Sequence, residues 1–328
     1  MPALGGRDVA SREELIDRNN SDKAIAGRAV MAAFAERADT EEIAPSEELT
    51  VTTETFVSEP DGNSIKIQFV RPDFAGERPP CVYYIHGGGM ATMSCFDGNY
   101  RAWARIIARC GVAVAMVDFR NAVVASSAPE IAPYPAGLND CVSGVKWLAA
   151  NSEQLGIDAG RIVVAGESGG GNLTLATGMR LLRDGDDDLI QGLYALCPYI
   201  LGRWPDDSCP SSIENNGIFL DLHNNHGRIG YGIESFDARD PLAWPGFATV
   251  DDVAGLPPTI ISVNECDPLR DEGITFYRQL LAAGVSATCR QVMGTVHGTE
   301  IFPMACPDIS RETAESIAAF CRRDVHET

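Results

Sequence analysis

From residue 81 onward, short apolar runs alternate with longer segments whose apolar residues recur at helical spacing. The runs at 81–85, 112–117, 162–166, 189–196, 258–264 and 287–293 read as strands. Between and after them, 100–109, 136–155, 172–183, 272–283 and 309–322 read as helices. This alternation predicts βαβ units and a mainly parallel sheet flanked by helices, an α/β architecture. Ahead of it, 50–58 and 64–70 predict two strands, and Asp61-Gly62-Asn63 between them is a hairpin signal. Residues 11–38 predict one or two amphipathic helices carrying Ile25, Val30, Met31 and Phe34, and an acidic stretch with Pro45 reads as a linker. The alternation breaks from about 198 to 245, around Trp204 and Trp244, in a stretch too long for an ordinary loop. The expected organisation is N-terminal cap helices (1–45), a catalytic domain (46–197 and 246–328) and a lid inserted at 198–245 that packs with the N-terminal helices.

Composition narrows the partners. A chain of 328 residues, 45% hydrophobic, has enough apolar material for one large core. It holds no apolar run long enough to span a membrane, and residues 1–20 are polar and charged, so a soluble, cytoplasmic protein is expected. A net charge of −20 argues against nucleic acid or an anionic membrane as partner. The ten cysteines are scattered singly, with no paired or metal-ligand spacing, as reduced structural thiols are.

The chemistry gathers at Gly166-Glu167-Ser168-Gly169-Gly170. This is a G-x-S-x-G turn between a β-branched run and a helical segment, the context in which a serine nucleophile is held on a strained turn. Such a serine needs a base, a group to orient the base and an oxyanion hole. Of five histidines, His297 alone lies on a loop directly after the last predicted strand, where the order Ser, acid, His puts the base. The acid belongs after the preceding strand, and Asp267 is the choice there, with Glu265 as the alternative; Asp271 and Glu272 read as first-turn helix acids. His86-Gly87-Gly88-Gly89 follows the strand at 81–85, and its glycines let backbone N–H groups turn toward a developing negative charge, with the N–H of Gly169 as a further donor. A phosphate-cradling loop is disfavoured, because no Walker Lys-Ser/Thr is present. His223 and His226, separated by two asparagines, read as lid residues rather than metal ligands.

Four motifs thus stand in order: HGGG at 86–89, GESGGGN at 166–172, DPLRDEG at 267–273 and VHG at 296–298. Together they resemble the bacterial hormone-sensitive-lipase-type (family IV) carboxylesterases of the α/β-hydrolase superfamily, over about residues 50–323. The resemblance implies an α/β-hydrolase fold with a helical cap. It implies Ser168 as nucleophile, Asp267 as acid and His297 as base, with Gly88, Gly89 and Gly169 as oxyanion donors and His86 and Gly87 as loop support. It also implies short-chain esters as substrates and no metal or cofactor. Two departures stand out. Glu167 and Gly169 replace the family's usual Asp or Thr and Ala around the serine, and the tyrosine-arginine-leucine-alanine-proline stretch survives only as Asp118-Phe119-Arg120-Asn121-Ala122, with extra residues before Tyr134. The same triad also serves amidases, lactonases and carbamate hydrolases. A non-catalytic receptor on this fold is disfavoured by the presence of both Ser168 and His297. The last strand is expected at a sheet edge, and with the resemblance it predicts a homodimer formed there.

Overall fold

A computed structural model of the chain describes residues 6–73 and 78–323. In chain order its elements begin with helices α1 (Arg12–Asn19) and α2 (Asp22–Glu36), then the strands β1 (Leu49–Ser58) and β2 (Asn63–Pro72). The α/β region follows: β3 (Cys81–Ile85), α3 (Gly98–Ala108), β4 (Ala113–Val117), α4 (Ala136–Ala150), α5 (Ser152–Leu155), β5 (Ile162–Glu167), α6 (Gly169–Asp184) and β6 (Gly192–Leu196). After β6 come the short helices α7 (Ser211–Glu214), α8 (His226–Tyr231), α9 (Ile233–Asp237) and α10 (Val250–Val253). The chain then returns to the sheet with β7 (Thr259–Asn264), α11 (Arg270–Ala282), β8 (Ala287–Val292) and α12 (Pro307–Cys321).

The strands form one eight-stranded sheet in the order β1-β2-β4-β3-β5-β6-β7-β8. Pairing is antiparallel at β1–β2 and β2–β4 and parallel from β4 onward. This is the α/β-hydrolase fold. The sheet is buried on both faces, so its inner strands read as continuous apolar runs. The period of two still decides which core each residue joins. Cys81, Tyr83 and Ile85 join the core that contains α4, α6 and α11, whereas Val82 and Tyr84 join the core under α3 and α12.

Register sets the site. Ile85 lies opposite Gly166, Glu167 opposite Leu196, Leu196 opposite Ser262 and Asn264 opposite Val292. The carboxyl ends of β3, β5, β6, β7 and β8 therefore reach one edge together, and the loops after them meet there, where ligands bind in sheets of this kind.

The cap's aromatic residues pack together and continue the core on the α4, α6 and α11 side of the sheet. Tyr199 stacks on Trp204 at 4.4 Å, and Tyr231 and Phe236 meet Trp244 edge-on at 5.8 and 6.3 Å. The N-terminal segment is tied to it by backbone and side-chain bonds. Val9 N donates to Asn225 Oδ1 at 2.9 Å, Asn225 Nδ2 donates to Val9 O at 2.8 Å, and Asn225 N donates to Asp8 Oδ1 at 2.9 Å.

Several expectations shift. The irregular stretch continues past 245 through α10 before β7 begins. The helix expected over 136–155 breaks at Asn151, which caps α4 and precedes α5, and a left-handed Gly156 then ends α5. The amphipathic face expected on the N-terminal helices does not pack: Ile25, Val30, Met31 and Phe34 are exposed and α2 buries no residue. Charge holds its end of the chain instead, with Arg101 bonded to Asp39 at 2.6 Å and to Glu36 at 2.5 Å, and Arg105 also bonded to Asp39. All ten cysteines are free thiols. Among the described residues no helix is long and apolar enough to cross a membrane.

Candidate active site

Ser168 caps the N-terminus of α6 at φ 58°, ψ −119°, a left-handed backbone that a non-glycine residue adopts only under constraint. The constraint is close packing. A Cβ on Gly170 would stand 2.0 Å from the carbonyl oxygen of Ile85, and one on Gly166 would stand 2.5 Å from the same atom. Only glycine on both sides lets strand, turn and helix approach this closely. Asn172 Nδ2 ties the first turn of α6 to the cap by donating to Tyr199 O at 3.0 Å and Ala243 O at 3.1 Å.

The loops after β7 and β8 deliver the other two groups. His297 Nε2 lies 2.9 Å from Ser168 Oγ, and its Nδ1 lies 2.8 Å from Asp267 Oδ2. The second Asp267 oxygen accepts the Leu269 N–H at 2.9 Å. With Nδ1–H donated to the carboxylate, Nε2 is free to accept the serine proton. Glu265, the alternative acid, turns away, and its Oε2 accepts the Gly294 N–H at 2.6 Å. Burial works to lower the imidazole pKa, but the Asp267 charge outweighs it, and the ring is pushed well up.

Cys197, at the end of β6, completes a cluster that sequence reasoning missed. Its sulfur, an Asp267 oxygen and a His297 ring nitrogen lie within 4.8 Å of one another. A thiolate, imidazole and carboxylate could in principle hold a cation, but here Asp267 and His297 hold each other and burial pushes the thiol up to about 11, so it stays protonated. His223 and His226 serve elsewhere: their Nε2 atoms meet the backbone carbonyls of Ser212 at 2.9 Å and Arg7 at 2.7 Å. His326 lies outside the described residues.

The glycine loop abuts the serine turn. Gly88, Gly89 and Met90 all have positive φ, and a Cβ on Gly169 would stand 2.5 Å from Met90 N and 2.7 Å from Gly89 N. The backbone nitrogens of Gly89 and Met90 thus lie against Gly169, the residue after Ser168, at a helix N-terminus that already favours negative charge. His86 sits beneath, fully buried and stacked on Phe119 at 4.3 Å, with Nδ1 3.0 Å from Gly87 O. Burial lowers its pKa against the pull of Asp118, so the ring is neutral and reaches no reacting group. The far end of the loop is pinned by the segment before Tyr134: Ala122 N donates to Met90 O at 2.9 Å and Val124 N to Ala91 O at 2.8 Å. The residues that depart from the family's usual stretch therefore anchor the far end of the glycine loop.

The acid loop is braced from the cap. Asn215 Nδ2 donates to Glu265 O and Asp267 O, both at 3.1 Å, and Ser211 Oγ donates to Pro268 O at 3.0 Å. Glu272, read from sequence as a first-turn helix acid, is buried instead. It accepts Ile200 N–H and Trp204 Nε1–H, each at 2.7 Å, and Leu201 N–H at 3.3 Å. No sequence signal marked these braces, because each joins residues some 50 to 70 positions apart.

The chain belongs to the α/β-hydrolase family, whose model, described as an alpha/beta hydrolase fold, matches residues 82–301; within it the chain falls among the hormone-sensitive-lipase-type esterases. Its relatives sharpen this. The solved structure of esterase Est22 is 67% identical, covering 98% of this chain and 94% of that one, with a TM-score of 0.96. Est22 has also been solved with p-nitrophenol. Brefeldin A esterase, a bacterial homologue of human hormone-sensitive lipase, is 34% identical, covers 97% of this chain and 88% of that one, and superposes with a TM-score of 0.85. Carboxylesterase NlhH of Mycobacterium tuberculosis is 32% identical over 79% of this chain and 78% of its own length.

Proposed function

We propose that this chain is a serine carboxylesterase that hydrolyses short-chain acyl esters through an acyl-enzyme on Ser168. One observation carries the reading: the unbroken line Ser168 Oγ–His297–Asp267 at 2.9 and 2.8 Å, with the glycine loop packed against the same turn. Ser168 Oγ attacks the acyl carbonyl while His297 Nε2 takes its proton. Asp267 holds the ring in the tautomer that leaves Nε2 free and stabilises the imidazolium. The N–H groups of Gly88, Gly89 and Gly169 receive the oxyanion as the tetrahedral intermediate forms. His297 then protonates the departing alcohol, and water repeats the sequence on the acyl-enzyme, releasing the acid and restoring Ser168. The high identity to Est22 and the esterase relatives support ester rather than other acyl substrates.

The N-terminal helices and the segment from 198 to 245 act as the cap over this site. A homodimer through β8 is part of the proposal, because that strand forms one edge of the sheet. Light scattering giving a monomer mass removes the dimer without touching the chemistry.

The test is hydrolysis of p-nitrophenyl acetate through octanoate by the wild type and by Ser168→Ala. Rates that peak at short chains and vanish in the variant are expected. Activity that survives the substitution, or that rises steadily to octanoate, overturns the reading.

A further inference from the structure

Glu167, one of the two residues that depart from the family's usual serine motif, has no role in the steps above. It is 2% exposed, and its side chain leaves the serine turn toward the glycine loop. Oε1 accepts the Gly87 N–H at 2.7 Å and the Tyr100 hydroxyl at 2.5 Å, and Oε2 accepts the Tyr84 hydroxyl at 2.7 Å. The Gly87 N–H is shared with the Tyr100 oxygen at 2.9 Å. A Cβ on Gly87 would stand 2.3 Å from Oε1, so this glycine is fitted to the carboxylate.

A buried carboxylate with only neutral donors around it is a costly choice for a core. Burial pushes it up to about 7, against the hydrogen bonds from Tyr100, Tyr84, its own backbone and Gly87 that pull it down. What the group gains is position. Glu167 precedes the nucleophile, and it bonds the residue that precedes Gly88. Residues 88–90 run through three successive positive φ values, a path that local propensity does not select. The far end of that run is pinned at Met90 by Ala122, and the near end is pinned at Gly87 by Glu167.

We propose that Glu167 is a positioning residue for oxyanion stabilisation: its carboxylate, held by Tyr84 and Tyr100, fixes the glycine loop to the serine turn, so the loop's N–H groups keep their distance from the acyl carbon on Ser168. This rests on the esterase reading above. It assigns a task to the glutamate that the shape of the motif alone does not.

The experiment compares the wild type with Glu167→Ala, Glu167→Gln and Tyr100→Phe on p-nitrophenyl butyrate, with Ser168→Ala as a control. It also measures inhibition by an alkyl trifluoromethyl ketone, whose hemiketal places an oxyanion in the hole, and by the product alcohol, p-nitrophenol. Removing one oxyanion donor costs roughly 10²–10³-fold in kcat in enzymes of this mechanism. Glu167→Ala, which loosens the loop without deleting a donor, is expected to lower kcat by about 10–100-fold with KM within about twofold. Ketone affinity should fall in parallel while p-nitrophenol inhibition holds. Glu167→Gln, whose amide oxygen still accepts from Gly87, should recover part of the loss, and Tyr100→Phe should lose less than Glu167→Ala. If Glu167→Ala fails to fold, Glu167→Gln and Tyr100→Phe carry the test, each expected to lose kcat and ketone affinity together. A fall in kcat with unchanged ketone affinity, or a rise in KM alone, overturns the proposal. Failure of the esterase reading shows separately, as an inactive wild type or an active Ser168→Ala.

Discussion

The side-chain amide of Asn215, in the cap, donates to the backbone carbonyl of Asp267, the acid of the triad, at 3.1 Å. A residue that touches no reacting atom thus helps hold the loop that orients His297. Asn215→Ala leaves the Asp267 carbonyl without this donor, and a part-buried hydrogen bond of this kind contributes on the order of 1 kcal/mol. The expected outcome is a fall in kcat of about 3–10-fold with a smaller change in KM. Steady-state kinetics on p-nitrophenyl butyrate checks it; unchanged kcat means that Ser211 and Leu269 suffice to hold the loop.

The pH dependence follows from His297. The base works only when neutral; burial lowers its pKa, but the Asp267 charge outweighs that and pushes it up. Activity should therefore climb as pH rises through that raised value, giving an optimum on the alkaline side of neutrality. Asp267→Asn removes the charge, leaves burial dominant and should move the acid limb to lower pH, while kcat drops by roughly 10³–10⁴-fold. A pH–rate profile of both proteins decides this, and an acid limb that stays in place in the variant contradicts the assignment of Asp267.

Stability should run the other way. Burial raises Glu272 to about 8 and Glu167 to about 7, against hydrogen bonds from Ile200 and Trp204 in the first case and from Tyr100 and Tyr84 in the second. Between the ordinary carboxyl range near 4.5 and these values, the folded chain holds protons that the unfolded chain has released. Stability from these two groups is greatest below that window and falls as pH rises through it. Glu272→Gln should flatten the decline of Tm between pH 5 and pH 8. Thermal melts in that range check it, and parallel curves for variant and wild type would show that Glu272 does not titrate there.

Arg120 and Asp140 form a nearly buried pair at 2.8 Å, with Asp61, Asn63 and Ser58 completing the network. Removing one charge strands the other. Arg120→Met alone should cost about 3–5 kcal/mol. Arg120→Met with Asp140→Leu should recover most of that, since both charges are then gone. Denaturant unfolding of the two variants measures the difference; equal losses would show that the pair itself, and not the orphaned charge, stabilises this loop.

The sheet was legible because its inner strands are short, apolar and separated by helical spacing: 81–85 is reproduced residue for residue, and the others are displaced by a few positions at most. Strand 189–196 begins late because Asp187–Leu189 forms a 3-10 turn before it. The line of Ser168, Asp267 and His297 was legible because each follows a strand in a set chain order. What stayed hidden is whatever depends on distant packing. Nothing in the local pattern announces that Glu167 reaches Tyr84 and Tyr100, that Cys197 lies against His297, or that Glu272 turns inward to Trp204. The apolar residues of α2 show the opposite limit, since a helical period names a face without saying that anything covers it.

The reciprocal bonds between Val9 and Asn225 span 216 positions of sequence. They close most of the chain into one noncovalent loop, and the entropy of such a closure grows only slowly with the length enclosed. The ordering of this segment is thus tied to docking of the cap, since Asn225 lies in the cap stretch that follows β6. Order at residues 8 and 9 can therefore serve as a late reporter of folding: amide exchange at Val9 should slow only when the cap has docked, well after the central strands are protected.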